Sequence, residues 1–422
     1  MNITVGILNS LKIAFCLNEN FYFEQEKTKI KGDFFANIIE NGISFNGKTY
    51  YELYFRNLNN STFELFDVEI GKGFHWQCFK NQQFNGDLKI ISNDTKLWAI
   101  NCIDIEKYLY SVIGSEMSST SFTELLKAHA VISRSWLLAN ISKDNPNRAT
   151  EQRTNHTFIK YYERDTHMLF DVCADDHCQR YQGIAAAQTP QILQAIDQTK
   201  GEVLTFDGDV CDARFSKCCG GYTECFSSCW DNRDFPYLQA LPDIKNDFFW
   251  DLSKEENAEK WILSSPDVFC NILDKNIINQ VFNDFDKETN DFFRWKICYS
   301  NSELSRIIKC RSGIDFGGII DLIPVKRGLS GRIVLLKIVG EKFTLTLGKE
   351  LEIRKWLSNS HLYSSAFVVK KDENGTFTFY GAGWGHGVGL CQTGAATMSA
   401  KGFDYREILM HYFKGTEIVN IS

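Results

Sequence analysis

Proline is scarce in this chain, six residues in 422, and there is no internal repeat, no block of like charges and no long apolar run. No stretch approaches the roughly 18 apolar residues that a membrane-spanning helix needs, so a membrane span is excluded. Lysine and arginine do not exceed the acids: 46 against 53 give a formal net charge of −7. Phosphate binding needs an excess of Lys and Arg on some face, so a nucleic-acid partner is excluded as well. The opening MNITVGILNSLKIAFCLN has no basic n-region, and Asn, Ser and Lys interrupt its apolar residues. It does not read as a secretory signal but as two strands turning at Asn9-Ser10. What is present is ordinary for a folded chain: 44% apolar and 23% charged residues exclude wholesale disorder. The length allows one large core or two ordinary ones.

Residues 1–100 read as strands, in short aromatic and β-branched runs (Phe21-Tyr22-Phe23, Gly42–Phe45, Lys89–Ile91) separated by Asn, Gly and Asp turns. A helix is predicted over 104–117, with Asp104 as N-cap and Tyr108, Leu109, Val112 and Ile113 as its apolar stripe. A second helix follows from Ser121, which with Glu124 fits a capping box, and buries Phe122, Leu125, Leu126, Ile132, Trp136 and Leu137. Residues 142–156 are polar and read as a loop. A short helix is expected over 191–200, a hairpin over 203–215 turning at Asp207-Gly208, and a mixture of helices and strands over 246–310. Strands then predominate over 318–380, with a short helix near 351–357, and a last helix covers 405–413. Antiparallel strands with helices packed on them make the fold class α+β.

The densest signal is GWGHGVGLCQTGA (383–395), five glycines around Trp384, His386 and Gln392. Glycine weakens strands and helices, so a close approach to the backbone must require it there. In an extended segment Trp384 and His386 share a face, and Gln392 both donates and accepts, which suits sugar hydroxyls. Other stretches accompany it in order: DIEKYLYSVIGSEMSSTSFTELLKAHAVISRSWLLAN (104–140), FSKCCGGYTE (215–224), RGLSGRIVLLKIVG (327–340) and YREILMHYFKGTEI (405–418). Together they resemble the SpoIID/LytB family, the stage II sporulation protein D lytic transglycosylases and the amidase enhancers. The resemblance covers most of 100–422. The strand pattern sets off a strand-rich N-terminal part over 1–100, and the resemblance implies a SpoIID/LytB catalytic core over 101–422, with 246–310 as an insertion or arm.

The resemblance makes Glu116 the catalytic acid, since Ser115-Glu116-Met117 matches the family's Ser-Glu-Met step; Ser118 stands where many members have Pro. Taken alone, the residue reads as a carboxyl in a helix-terminal turn, near the positive end of the next helix. Cleavage of a β-1,4 glycosidic bond needs a carboxyl to protonate the leaving oxygen. A hydrolase also needs a second carboxylate. A lytic transglycosylase does not, because the sugar's own 6-hydroxyl attacks and a 1,6-anhydro ring results. No motif pairs a second acid with Glu116. His177, Tyr222, Trp384, His386 and Gln392 are the expected substrate-binding residues of the groove, and Glu224 is a lesser acid candidate whose role reads as structural.

Fourteen cysteines are many for this length, and they cluster. His167, Cys173, His177 and Cys178 have metal-like spacing that suits tetrahedral zinc. The resemblance narrows the metal ligands to His167, Cys173 and Cys178, as some members bind zinc through one His and two Cys. A Cys173–Cys178 disulfide or two free thiols remain the alternatives. Cys219, Cys225 and Cys229 are open to a metal, to pairing with one another or with Cys211; oxidation is expected on export and free thiols otherwise. Lys217-Cys218-Cys219 departs from the Ser-Thr-Ser that the family commonly has before Gly-Gly. Scattered cysteines, Cys270 and Cys391 among them, read as small buried apolar residues.

The expected function is therefore a peptidoglycan lytic transglycosylase that cleaves the MurNAc–GlcNAc bond of cell-wall glycan strands. The rival is a non-catalytic glycan-binding protein that stimulates a cell-wall amidase, and the third reading is a structural envelope protein. The partners implied are glycan strands and an amidase, and the compartment implied by the family is the cell envelope or another extracytoplasmic site.

Overall fold

The computed structural model describes residues 1–421 except 73–76, 94, 142–149, 163–166, 185–188, 246–249, 273 and 282–290. The chain forms two compact units, one of 1–143 with 166–202 and the other of 144–165 with 203–421. The fold class is α+β, as the strand-and-helix pattern implies.

The first unit is built on β1 (Asn2–Ser10), β2 (Lys12–Phe23), β3 (Thr28–Ile39), β4 (Gly42–Phe45), β5 (Lys48–Tyr50), β6 (Glu52–Asn57), β7 (Thr62–Ile70), β8 (Cys78–Asn85), β9 (Asp87–Ser92) and β10 (Leu97–Asp104). With the short strand Val172–Cys173 they make one sheet. Its pairs are antiparallel except Val172–Cys173, which runs parallel to β1. β2 is the branch point: Phe15–Leu17 pair with β7, while Phe21–Phe23 pair with β6. Alternation along β2 sends Ile13, Phe15 and Leu17 inward, and Phe15, Phe23, Phe45 and Phe55 form one aromatic cluster. Each buried ring contributes roughly 1.5–3 kcal/mol relative to exposure.

Helix α1 (Ile105–Glu116) follows β10 directly. Asp104 caps it by accepting the Glu106 amide, and Tyr108, Leu109, Val112 and Ile113 are buried as their spacing requires. Helix α2 (Thr123–Ile141) is buried over most of its circumference. Arg134 of α2, 1% exposed, donates to both carboxylate oxygens of Glu106 at 2.9 and 2.6 Å and to the Glu202 carbonyl at 2.9 Å. This bidentate pair ties α2 to the first turn of α1. Helix α3 (Pro190–Gln198) completes the unit.

The second unit holds a sheet ordered 150–153, 157–161, 344–348, 333–340, 319–327. A three-stranded antiparallel sheet, 294–299, 377–382 and 367–371, accompanies it. Trp295, Leu304, Ile307, Ile308, Leu336, Ile338, Leu347 and Trp356 share one core. The helix Asn301–Ser312 is capped by Ser300 and ends at Gly313, whose φ of 73° suits the left-handed position. The hairpin near 203–215 turns at Asp207-Gly208, with φ of 51° and 87°, the signature of a type I′ turn. Of the predicted loop 142–156, residues 142–149 lie outside the described residues, and Thr150–Arg153 form a strand. Within 246–310 the described residues form the helices Glu255–Leu263, Lys275–Val281 and Asn301–Ser312 and the strand Arg294–Tyr299; 246–249, 273 and 282–290 lie outside them.

Candidate functional site

In the first unit Glu116 is the last residue of α1 and only 8% exposed, rather than solvated. Its Oε1 accepts the amide of Arg180 at 3.1 Å. The neighbouring serines lace the same helix end to the same segment. Ser115 Oγ accepts the Gln182 amide at 3.1 Å and donates to the Ser111 carbonyl at 2.7 Å, while Ser111 Oγ donates to the Gly183 carbonyl at 2.8 Å. Tyr181 stacks on Tyr108 of α1 at 5.0 Å and donates to Asn101 Oδ1 at 2.6 Å. Gln179 accepts from Tyr108 Oη at 3.2 Å and donates to the Ser133 carbonyl at 3.3 Å. Residues 179–183 are thus pinned to α1, α2 and β10, and the amide facing Glu116 is held by contacts on both sides. The Arg180 side chain turns back on Asp176, at 2.6 Å.

Just upstream, His167, Cys173, His177 and Cys178 bring one ligand atom each to within 4.8 Å of one another. Cys178 Sγ lies 3.4 Å from His167 Nε2 and 3.5 Å from His177 Nδ1, and Cys173 Sγ is 4.0 Å from His177 Nδ1. The Cys178 sulfur, with help from the two imidazoles, pulls the Cys173 thiol well below the ordinary thiol range. Two sulfurs and two ring nitrogens at these separations fit the edges of a tetrahedral zinc site. The three ligands implied by the family are together, and His177, read as substrate-binding, stands with them as a fourth donor.

In the second unit the glycine segment does not run as an extended strand. Gly383, Gly385, Gly387 and Gly389 all have positive φ, between 74° and 95°. The close neighbours are the protein's own: a Cβ at Gly387 would run into the guanidinium of the buried Arg332, and one at Gly389 into the Arg214 carbonyl. Trp384 pairs backbone to backbone with Cys218 and stacks on Tyr363 at 4.0 Å. His386 is half-buried; its Nδ1 accepts the Val388 amide at 3.0 Å and its ring meets Trp230 edge-on at 4.7 Å. Burial, with Arg214, Arg354 and Arg332 adding, pushes its pKa well down, so the imidazole is neutral. Tyr222 is 1% exposed, accepts the Trp250 amide at 2.7 Å and packs on Trp261. Gln392 is 1% exposed and opens the helix Gln392–Ala400. Glu224 is fully buried and accepts from Ser330 and from the Cys225 amide, a structural role.

Two features have little signal in the sequence. One is the Arg180 amide, since any residue type supplies an amide. The other is a second convergence, of Cys219, Asp243, Cys270 and Cys391. Cys270 and Cys391 lie 51 and 172 residues from Cys219, so no spacing announces it.

Residues 93–206, which contain Glu116 and all four residues of the His/Cys cluster, match the family model described as stage II sporulation protein. The stage II sporulation protein D of Bacillus amyloliquefaciens is 23% identical over 323 residues, 76% of this chain and 75% of that protein. Within residues 93–206 the chain is similar to the SpoIID/LytB family. Over 239 residues it is also 25% identical to the amidase enhancer of Bacillus subtilis (strain 168), covering 54% of this chain and 32% of that relative. An uncharacterized protein of Brachyspira hyodysenteriae is 26% identical over 340 residues, 81% of this chain and 73% of its own length. Residues 224–389, with Trp384 and His386, match a second model, described as domain of unknown function DUF8618. This similarity supports a role related to the cell wall. Among the described residues no helix is long and apolar enough to cross a membrane.

Proposed function

We propose that this protein is a peptidoglycan lytic transglycosylase in which Glu116 acts first as acid and then as base. The observation that carries the reading is the setting of Glu116: a carboxyl at a helix end, largely withdrawn from water, with one oxygen held by the Arg180 amide. Partial withdrawal from water is what a general acid needs to keep its proton. Protonated Glu116 gives its proton to the oxygen leaving C1 of MurNAc, and the C1–O bond to GlcNAc breaks. The 6-hydroxyl of the same MurNAc attacks C1, Glu116 takes the hydroxyl proton, and the 1,6-anhydro ring closes. The carboxyl ends in its starting state, and no water is consumed. Of the two acids in the adjoining loop, Asp176 is engaged by the Arg180 guanidinium and Asp175 accepts the amides of Lys72 and Asp176.

His167, Cys173 and Cys178, with His177 alongside, are the residues that would hold zinc. A zinc with four protein donors supplies rigidity rather than an open coordination position. It would fix the loop two residues before Arg180 and so the amide on which Glu116 rests.

A second reading has its own support in the relative named amidase enhancer: a glycan-binding protein that stimulates a cell-wall amidase without cutting glycan. One experiment separates the two. The protein is incubated with purified peptidoglycan, and with glycan strands stripped of peptides, and anhydro-sugar ends are sought by mass spectrometry. Their appearance supports cleavage. Their absence, together with faster peptide release by an added amidase, supports the second reading.

A further inference from the structure

The second unit carries a cluster that neither the proposed chemistry nor the glycine segment uses. Cys219, Cys270 and Cys391 are 2%, 1% and 0% exposed, and Asp243 is 0% exposed. One donor atom from each lies within 4.8 Å of the others, and the sulfurs of Cys219 and Cys270 are 3.6 Å apart. A zinc–sulfur bond of about 2.3 Å in a tetrahedron sets sulfur–sulfur edges near 3.8 Å, whereas a disulfide needs about 2.05 Å. We infer that these four residues form a second, closed zinc site of three thiolates and one carboxylate.

The groups around the cluster are those a zinc–thiolate centre requires. Cys391 Sγ accepts the amides of Cys219 at 3.1 Å and Gly394 at 3.4 Å. The Cys270 amide donates to Asp243 Oδ2 at 2.8 Å, and Tyr412 Oη donates to Asp243 Oδ1 at 2.7 Å. His411 Nε2 is buried without a hydrogen-bond partner, 3.7 Å from Asp243 Oδ1. Three thiolates and a carboxylate exceed the charge of the ion by two, and two guanidinium groups bracket the Cys219-Gly220 peptide. Arg332 donates to the Cys219 carbonyl at 3.1 Å, and Arg294 to the Gly220 carbonyl at 3.1 Å. Cys218 is also fully buried and in electrostatic contact with Cys270 and Cys391. It is a neighbour and not a ligand, because adjacent residues rarely both turn a sulfur onto one ion.

The site is structural, since four protein donors leave no open position. It joins the turn before Gly220, the Asp243 segment, the Cys270 segment and the start of the helix Gln392–Ala400. Cys219 and Cys391 lie just outside the two ends of the matched stretch 224–389, and Asp243 and Cys270 lie inside it. The ion therefore closes the base of that stretch and anchors the glycine segment leading into Gln392. None of this depends on Glu116 being catalytic.

The test is zinc content, measured by elemental mass spectrometry on the full chain purified under reducing conditions. With Cys173→Ser/Cys178→Ser removing the first cluster, about one zinc per chain is expected to remain. Cobalt exchanged into that variant should show the visible bands of tetrahedral thiolate coordination. Cys391→Ser in the wild-type background should lower the zinc content by about one equivalent, and Cys218→Ser should leave it unchanged. A folded Cys173→Ser/Cys178→Ser protein without zinc overturns the proposal, as does undiminished zinc in a folded Cys391→Ser protein or a Cys219–Cys270 disulfide in unreduced peptide maps. Should the double variant not fold, the Cys391→Ser comparison decides.

Discussion

Replacing Glu116 by Gln separates chemistry from architecture. The carboxylate is 8% exposed and accepts the Arg180 amide at 3.1 Å. Glutamine has the same length and keeps a carbonyl oxygen for that amide, so a hydrogen bond worth about 0.5–1.5 kcal/mol is preserved. The expected stability change is below about 1 kcal/mol, a shift of only about 2–4 °C in Tm for units of this size. What Gln cannot do is give and take a proton. Loss of a positioned general acid costs about 10²–10⁴ in rate, or about 3–5 kcal/mol of barrier. Glu116→Ala is the contrast: it also strands the Arg180 amide, at about 1–3 kcal/mol. The assay is the rate of formation of anhydro-sugar ends from purified peptidoglycan, run beside thermal melts and glycan pull-down. Glu116→Gln is expected to melt and bind like the wild type and to cut at under a hundredth of its rate. A folded Glu116→Gln protein that retains more than about a tenth of the rate refutes the mechanism.

Cys173→Ser/Cys178→Ser should remove about one zinc per chain and slow cleavage while glycan binding persists, checked by elemental analysis and the same cleavage assay. His361 gives a pH signature. Burial, with Arg354, Arg311 and Lys355 adding, lowers its pKa from 6.5 to about 4. Its folded-state pKa is depressed, so its contribution is intact above pH 6.5 and is lost as pH falls towards 4, by up to about 3 kcal/mol. Melts between pH 7 and 4.5 should therefore fall less steeply for His361→Gln, with a residual slope from His386, which is shifted the same way; an identical slope removes His361 from the account. Gly387→Ala forces a Cβ onto the Arg332 guanidinium at a φ of 79° and should destabilise by about 3 kcal/mol, read as a lower Tm.

Local physics was legible in the chain and distant neighbours were not. Asp104 as cap, the stripe of Tyr108, Leu109, Val112 and Ile113, and the Asp207-Gly208 turn each depend on residues within one turn of themselves, and each stands where the pattern put it. The glycine segment was legible as a place of close approach but not in conformation. Alternation suggested an extended run with Trp384 and His386 on one face, yet positive φ at four glycines breaks that face, and the groups that press on the backbone come from Arg332 and Arg214. Tyr222 is similar: its turn is readable, but the Trp250 amide and the Trp261 ring that hold it come from elsewhere in the chain. Cys270 and Cys391 read as buried thiols, which they are; only the fold brings both beside Asp243.

The placement of Glu116 explains why one short segment carries so many polar contacts. A carboxyl at the end of a helix is normally free to swing, and a swinging acid loses the geometric advantage of a fixed one. Here the helix end is laced to 180–183 through Ser111, Ser115 and Glu116 itself, three contacts within the last two turns of α1. That segment is in turn held by Tyr108, Asn101 and Ser133, which belong to α1, β10 and α2. Upstream, 171–174 are tied to β1 at Thr4 and Gly6, so the freedom that remains lies in the turn 175–178, which belongs to no strand or helix. A metal bound by His167, Cys173 and Cys178 would remove that freedom at the point where it most affects the Arg180 amide. Loss of this zinc alone, as in Cys173→Ser/Cys178→Ser, would then lower the rate through misplacement of the acid and leave the fold of the sheet unchanged, so in that variant activity should fall while the melting temperature changes little.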